Sequence, residues 1–155
     1  MPAFVQGRYF DVFAANQLAQ AFSPNVRPRI NRLQAAILDL REAELYADWE
    51  NATSAAFGQL RAAMGAEADD PRMIDLAGEL SVKSEMFRRV WARQEVVRPA
   101  GGPARLHHPE LGDLSLYREK LNLAGAGGQV LVVYHAEPGT PSAAALGRLS
   151  ACASP

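Results

Sequence analysis

The strongest strand signal in the sequence is QVLVVYHAE, residues 129–137. Nearly every position in it is apolar, and valine is frequent. A strand of this kind has both faces at least partly covered, which is the environment found in the middle of a sheet. The remaining strands of that sheet must come from elsewhere in the chain, and their order decides the fold class.

Shorter strand patterns occur at both ends of the chain. They cover residues 3–6, 9–15, 95–98, 104–109 and 110–123. In the last of these, Leu114 and Leu116 alternate with two polar neighbours, as in a half-buried strand. An isolated hairpin is marginally stable in water, so the N-terminal pair, which turns at Gly7 and Arg8, must join the C-terminal strands in one sheet.

Helical patterns fill the middle of the chain and close its C-terminal end. Each is preceded by a side chain that can accept hydrogen bonds from the first turn of a helix. The candidate N-caps are Asn16, Asn31, Asp48, Asp70 and Thr140, and a further helical pattern begins at Ser84. Because runs of strands are separated from a run of helices, the sequence predicts an α+β fold with an antiparallel sheet and helices against it.

Two of these helices have a predicted buried face. In residues 31–40, the apolar side chains of Leu33, Ile37 and Leu40 fall on one side. In the helix that follows Asp48, the predicted inner positions are Trp49, Ala52, Ala56, Leu60 and Ala63. Both assignments assume an unbroken helical period.

Composition indicates one ordinary globular domain. The chain has 155 residues, of which 48% are hydrophobic and 21% charged, so we expect a single domain at residues 1–150 and a tail at 151–155. The net charge of −1 offers no general attraction to nucleic acid. The one local basic patch, RPRINR at residues 27–32, is expected to be a solvated surface.

The cysteine content and the N-terminal sequence indicate the cellular compartment in which the protein is found. Cys152 is the one cysteine, so no disulfide can form within the chain, which suits a reducing environment. We find no signal peptide and no apolar run long enough to cross a membrane, so no membrane contact is expected. Abundant alanine, and arginine in place of lysine, indicate a GC-rich bacterial genome, and we expect a cytoplasmic protein.

Signals for catalysis and for metal binding are weak. His107 and His108 are adjacent on a predicted strand, so their side chains point to opposite faces and cannot easily share a metal ion. The ordinary interpretation is one histidine packed inward and one solvated. The sequence contains no nucleophile elbow, P-loop or dinucleotide fingerprint. We therefore predict no catalytic residue, no metal site and no cofactor.

Aromatic residues remain as the most informative feature. In KSEMFRRVWARQEVV, residues 83–97, the side chains of Phe87 and Trp91 share one helical face with Met86 and Val90. Such a stripe is most often part of a solid core, and the alternative is the wall of a cavity that a ligand fills.

A series of separated motifs resembles the C-terminal ligand-binding domain of MmyB-like transcription regulators, nearly from Pro2 to Leu149. The motifs that carry the resemblance are Asp48-Trp49, Leu60-Arg61, Asp70, Glu79-Leu80-Ser81, Ser84, Phe87, Trp91, His108-Pro109, Gly112 and Ala136-Glu137-Pro138-Gly139. Their number and order make the resemblance specific.

This resemblance implies a PAS-like fold. A five-stranded antiparallel sheet would have its helices inserted between strands 2 and 3 and covering one face, with a short C-terminal helix, and would cup a cavity that holds an apolar, fatty-acid-like molecule. Members of the family carry a helix-turn-helix domain upstream, so DNA would be contacted only through that domain, which this chain lacks. A homodimer is a further possible partner.

The resemblance favours the cavity interpretation of the aromatic residues. The predicted ligand-binding residues are Phe13, Trp49, Phe57, Leu60, Arg61, Phe87, Trp91, His108 and Tyr134. Arg61 and His108 are the polar groups of this set. The predicted function is a small-molecule sensor domain of a bacterial transcription regulator, and the alternative is a ligand-free scaffold or dimerisation module with a solid core.

Overall fold

The computed structural model describes residues 1–65, 69–93 and 101–153. The chain forms two compact units, one of Met1–Trp49 with Ala100–Pro155 and the other of Glu50–Pro99. The first unit contains the sheet, and the second is built from helices. The strand predicted at residues 95–98 lies outside the described residues.

The sheet has five antiparallel strands. They are β1 (Ala3–Gln6), β2 (Val12–Ala15), β3 (Gly102–His108), β4 (Gly112–Asn122) and β5 (Val130–His135). Their spatial order is β2-β1-β5-β4-β3, so the apolar strand that begins at Val130 is central, as predicted. The N-terminal hairpin joins the C-terminal strands through β1 and β5, which confirms the antiparallel α+β architecture.

Seven helices occur in the described residues. They are α1 (Gln17–Phe22), α2 (Arg32–Leu38), α3 (Leu40–Leu45), α4 (Trp49–Met64), α5 (Pro71–Lys83), α6 (Glu85–Trp91) and α7 (Pro141–Ala153). The predicted N-caps Asn16, Asn31 and Asp70 each accept a backbone hydrogen bond from the first turn that follows them. Ser84 caps α6 in the same way. Thr140 does the same for α7, because its hydroxyl accepts from the Ala143 N–H at 3.2 Å.

The first hairpin turns later than predicted. Strand β2 begins at Val12 rather than at residue 9, because residues 7–11 close a turn in which the Gly7 N–H donates to the Asp11 carbonyl at 2.8 Å. Phe10 adopts a positive φ of 73° in this turn and is nevertheless buried. The apolar side chains of Tyr9 and Phe10 therefore reach the core from a turn, which a strand pattern cannot represent.

One predicted helix is divided in two at Asp39. This residue is extended, closes α2 through its N–H and caps α3 by accepting from the Arg41 N–H. Leu33 is 2% exposed, as expected of the buried face, but Leu40 lies beyond the break and is 72% exposed. The assignment of Leu40 to that face is therefore wrong, because the local capping by Asp39 interrupts the helical period.

The core of the sheet unit lies on one face of the sheet, here called the inner face. Buried side chains alternate along each strand, as in Val130, Val132 and Tyr134 of β5. Helices α1 and α7 pack on this core. The pairing of β4 with β5 ends at Tyr117 and His135. Beyond this point, the Ser142 hydroxyl of α7 accepts a hydrogen bond from the Ser115 N–H of β4 at 2.9 Å, which satisfies that backbone donor.

The helical unit has its own buried side chains. In α5 these are Met73, Leu76 and Leu80. In α4 they are Thr53, Phe57 and Leu60. The predicted alanine positions of α4 are half-buried instead, since the larger Phe57 side chain is directed inward. None of the described helices combines the length and apolar character needed to span a membrane.

We expect Asn31→Ala to destabilise the protein by about 2–3 kcal/mol, the combined effect of a lost N-cap and an unpaired buried carbonyl. The buried Asn31 amide accepts from the Leu33 and Gln34 N–H groups and donates to the Tyr9 carbonyl at 2.7 Å. Urea denaturation followed by circular dichroism measures the change. Asn122→Ala, at an exposed strand end, is the matched control, and an equal loss in both variants would contradict the prediction.

Candidate functional site

The guanidinium of the half-buried Arg32 lies over the inner face of the sheet. The Arg32 Cζ atom is 4.7 Å from the centroid of the Phe4 ring, a cation–π distance. Its Nη2 donates to the Tyr46 hydroxyl at 3.1 Å and its Nη1 to the Gln6 side-chain oxygen at 3.4 Å. The expectation that the whole RPRINR patch is a solvated surface is therefore wrong for Arg32, the first residue of α2.

Tyr46 connects this guanidinium to a buried carboxylate. Burial raises the pKa of Tyr46 despite the opposing charge of Arg32, so the hydroxyl stays protonated. It donates a hydrogen bond to Glu42 at 3.3 Å. Glu42 is 2% exposed and also accepts from the Ser23 hydroxyl at 2.8 Å and the Asn25 amide at 3.1 Å. The carboxylate is thus fully engaged with neutral donors.

Arg32 remains charged in this environment. Burial lowers the pKa of Arg32, but the oxygen atoms of Tyr46, Tyr134 and Glu42 raise it by more, and the net shift is upward. A permanently charged group is therefore held against the aromatic part of the sheet.

Two further cations share the inner face. Arg118 and Lys120 follow Leu114 and Leu116 at every second position of β4, and these four side chains point the same way. Arg118 is paired in register with Tyr134, and Lys120 with Val132. Burial, with smaller contributions from Arg118 and Arg32, lowers the pKa of Lys120 to about 7.

Two nitrogen atoms of these cations have no hydrogen-bond partner among the described residues. Among the described residues, the Nε atoms of Arg32 and Arg118 are shut off from solvent and have no hydrogen-bond partner. A buried donor without a partner destabilises a folded protein, and buried polar groups are nearly always paired. We call Arg32, Arg118 and Lys120 the cation cluster.

The sequence-based prediction of site residues did not include the cation cluster. The signal for β4 was nevertheless present, because the alternation at Leu114 and Leu116 continues through Arg118 and Lys120. No local pattern marks Arg32, since its burial depends on strands far away in the sequence.

Two of the predicted site residues lie with this inner face. Tyr134 is buried, and its ring centroid is 5.4 Å from that of Phe22 and 6.5 Å from that of Phe4. His108 is also buried and stacks on Phe22 at 5.8 Å. The structure therefore brings Tyr134 and His108 together around one aromatic ring of α1.

The buried histidine already has partners for one ring nitrogen. The Nδ1 atom of His108 accepts from the Glu110 and Leu111 N–H groups at 3.1 and 3.2 Å, which closes the turn between β3 and β4. His107 is exposed and meets the Asp113 carboxylate at 2.6 Å. The two histidines point to opposite faces, as predicted from strand geometry.

The described contacts of Phe13 and Trp49 involve other residues. Phe13 is 53% exposed on β2, and its ring covers Gly7 so closely that an added Cβ there would lie 2.8 Å from it. Trp49 is half-buried, and its indole N–H donates to the Ala36 carbonyl at 2.7 Å.

The other predicted residues form a cluster inside the helical unit. The Phe87 ring is 5.0 Å from Phe57 in an edge-to-face arrangement and 5.0 Å from Trp91 in a stacked one. The Arg61 guanidinium lies 3.8 Å from the Trp91 ring centroid and donates to the Trp91 carbonyl at 2.5 Å. Phe57, Leu60 and Phe87 are fully buried, so this cluster is closely packed.

These features define a class of protein. An antiparallel five-stranded sheet with helices inserted after its second strand is consistent with a PAS-like ligand-binding domain. The chain belongs to the family described as the MmyB-like transcription regulator ligand binding domain, whose family model matches residues 1–149. This confirms the predicted resemblance. A search of curated proteins finds no match to the chain.

We expect Phe87→Ala to lower the free energy of unfolding by about 3–5 kcal/mol, because the ring is 0% exposed and contacts two other rings. Urea denaturation gives the value. The matched control is Phe13→Ala, whose exposed side chain should contribute far less. A loss below about 1 kcal/mol at Phe87 would mean that its ring borders unfilled space rather than a packed core.

Lys120 should make stability depend on pH. The unfolded chain keeps the lysine proton up to a pKa of 10.5, whereas the folded protein releases it above about 7. Between these values the unfolded state binds more protons, so stability rises with pH, by at most about 1.4 kcal/mol per pH unit for one proton. Urea denaturation between pH 7 and 9 should show this slope, and Lys120→Met should reduce it.

The exposed Lys83, paired with Glu79 at 2.8 Å, provides the control Lys83→Met. An unchanged slope in Lys120→Met, or an equal change in both variants, would contradict the assignment of the proton to Lys120.

Proposed function

We propose that this domain is the small-molecule sensor of a bacterial transcription regulator and that it binds a fatty-acid-like ligand against the inner face of the sheet. The observation that carries the proposal is the cation cluster among the aromatic and aliphatic side chains of that face. Membership of a family of regulator ligand-binding domains supports a role in binding rather than in catalysis.

The composition of the inner face fits an amphiphilic ligand. Phe4, Val132 and Tyr134 are core side chains of that face, each 3% exposed or less, and a hydrocarbon chain would contact them in place of their present apolar neighbours. A few polar groups then set the orientation of the ligand. This combination supports an apolar molecule with one polar end over a sugar or a nucleotide, which would require many more hydrogen-bond partners.

Signal transmission would follow from differential binding. A ligand shifts a regulator between two states only by as much as its affinity for them differs. The net charge of −1 gives this chain no general attraction to DNA, which supports DNA contact through a separate domain of the regulator. The chain has one cysteine and so cannot form an internal disulfide, which supports a cytoplasmic setting. Homodimer formation stays a prediction.

A second candidate is a ligand-free scaffold or dimerisation module. The observation that favours it is the complete burial of Phe57, Leu60 and Phe87. Their close contacts leave no part of these three side chains open to a ligand in this state. The two candidates differ in whether the purified domain carries or accepts an apolar molecule.

We expect native mass spectrometry of the purified domain to detect a bound molecule that solvent extraction removes. Decanoic acid added to the extracted protein should raise its melting temperature by several degrees, since a ligand at a hundredfold excess over its Kd stabilises by about 2.7 kcal/mol. Acetate, which has the same head group without the chain, is the control. A domain that carries no adduct and shows no shift with decanoic acid or decanol would support the scaffold instead.

A further inference from the structure

We propose that Lys120 is a site of reversible carboxylation, at which the Nζ atom takes up carbon dioxide and the resulting carbamate is held by Arg118 and Arg32. The inference concerns a covalent group on the protein itself and does not depend on the proposed sensor function. It is carried by the position of one lysine between two guanidinium groups that have unused hydrogen-bond donors, all within the unit that contains the strands.

The register of the sheet places Lys120 close to both guanidinium groups. Arg118 and Lys120 are two residues apart on β4, about 7 Å along one face. Lys120 opposes Val132 of β5, and Val132 opposes Phe4 of β1. The Arg32 guanidinium lies 4.7 Å from the centroid of that Phe4 ring. The lysine therefore has one arginine beside it on its own strand and a second above the neighbouring strands.

The positive charge of this region is not balanced. The Nε atoms of Arg32 and Arg118 are shut off from solvent without a hydrogen-bond partner, and Arg118 forms no ion pair within the described part of the chain. The buried carboxylate of Glu42 accepts from three neutral side chains instead. An anion formed beside the two guanidinium groups would accept hydrogen bonds from them and neutralise the excess of charge.

The surroundings of Lys120 favour the protonation state that the reaction requires. The neutral amine has the lone pair that attacks carbon dioxide, and a lysine becomes nucleophilic when burial and neighbouring cations disfavour its charged form. Burial lowers the pKa of Lys120 to about 7, with smaller contributions from Arg118 and Arg32. The residue is half-buried rather than sealed in the interior, so a molecule as small as carbon dioxide can reach it.

The chemical step is balanced with carbon dioxide as its one co-reactant. The neutral Nζ atom of Lys120 donates its lone pair to the carbon of carbon dioxide, an N–C bond forms, and one C=O π pair moves onto oxygen. The nitrogen then releases a proton to solvent. The product carries a planar group with two oxygen atoms and one negative charge, and no oxidant or reductant takes part.

The neighbouring charges favour carbon dioxide over other electrophiles that react with lysine. An aldehyde or ketone would give an imine, and an activated acetyl group would give an amide. Neither product is an anion, so both would leave the donors of Arg118 and Arg32 unsatisfied. A carbamate presents two oxygen atoms that match the planar fork of a guanidinium, and such charge-assisted pairs are strong and directional.

The composition of the chain makes a direct test possible, because Lys83 and Lys120 are its only lysines. The purified domain is equilibrated with carbon-13-labelled bicarbonate at pH 7.5, and carbamate carbon atoms are detected by NMR. Lys120 should give a carbamate signal that is lost in Lys120→Met and kept in Lys83→Met. A signal from the N-terminal amine should persist in both variants and serves as the internal reference.

Arg118→Met tests whether the neighbouring guanidinium holds the carbamate. The affinity of Lys120 for carbon dioxide, obtained by raising the labelled bicarbonate, should fall about tenfold, the ratio that corresponds to one charge-assisted hydrogen bond. The comparison is made at pH 9, so that a change in the protonation of Lys120 contributes little. Arg105→Met is the matched control, because Arg105 is exposed on the neighbouring strand, and it should change the affinity by less than about twofold.

Carbon dioxide should also stabilise the folded domain, because the carbamate meets its arginine partners only in the native state. At fixed pH and ionic strength, dissolved carbon dioxide should raise the melting temperature of the wild type and of Lys83→Met but not that of Lys120→Met. Circular dichroism checks that each variant is folded. The inference is overturned if Lys120 gives no carbamate signal, if its signal is no stronger than that of Lys83, or if Arg118→Met leaves the affinity unchanged.

Discussion

The hydrogen-bond ladder between β5 and its two neighbours is the constraint on which the sheet unit depends. β5 pairs with β1 from the start of the chain and with β4 from its last third. These contacts close a loop of more than a hundred residues, which is entropically expensive and must be offset by apolar burial along Val130, Val132 and Tyr134. Once this pairing exists, Phe4, Arg118 and Lys120 are brought to the same face.

The cation cluster is an exception to an otherwise well-satisfied interior. Glu42, Asn31 and His108 are buried polar residues with several short hydrogen bonds each. By contrast, the Nε atoms of Arg32 and Arg118 have no hydrogen-bond partner among the described residues. These unsatisfied donors conflict with the stability of the folded protein. Such conflicts tend to occur at functional sites, because a group that must bind a ligand cannot be satisfied within the protein.

The aromatic side chains have different surroundings in the two units. In the helical unit, Phe57, Phe87 and Trp91 contact one another, and Arg61 covers the last ring. In the sheet unit, Phe4 lies under the Arg32 guanidinium, and Tyr134 is paired in register with Arg118. The packed cluster is suited to holding helices together, whereas the inner face of the sheet combines aromatic and charged side chains. The aromatic stripe of α6, the most conspicuous pattern in the sequence, therefore has an evident structural role.

Local features could be predicted from the sequence alone. Residues close to one another predict the N-caps at Asn16, Asn31 and Asp70 and the central position of the strand that begins at Val130. Ordered motifs predict the family. Caps and strand periods depend on interactions over a few residues, which is why they can be predicted in this way. Where two local signals compete, as at Asp39 and in the turn at Phe10, the prediction failed.

Only the tertiary structure decided which polar residues are buried together. Arg32 belongs to a basic patch that resembles a surface, and Arg118 lies in a charged part of β4 that resembles a solvated strand. Their environment is set by β1, β4 and β5, which come from opposite ends of the chain and meet through non-local pairing. The free energy of a buried charge depends on those distant neighbours rather than on adjacent residues, so the sequence by itself determined the elements and the family, and the fold determined the site.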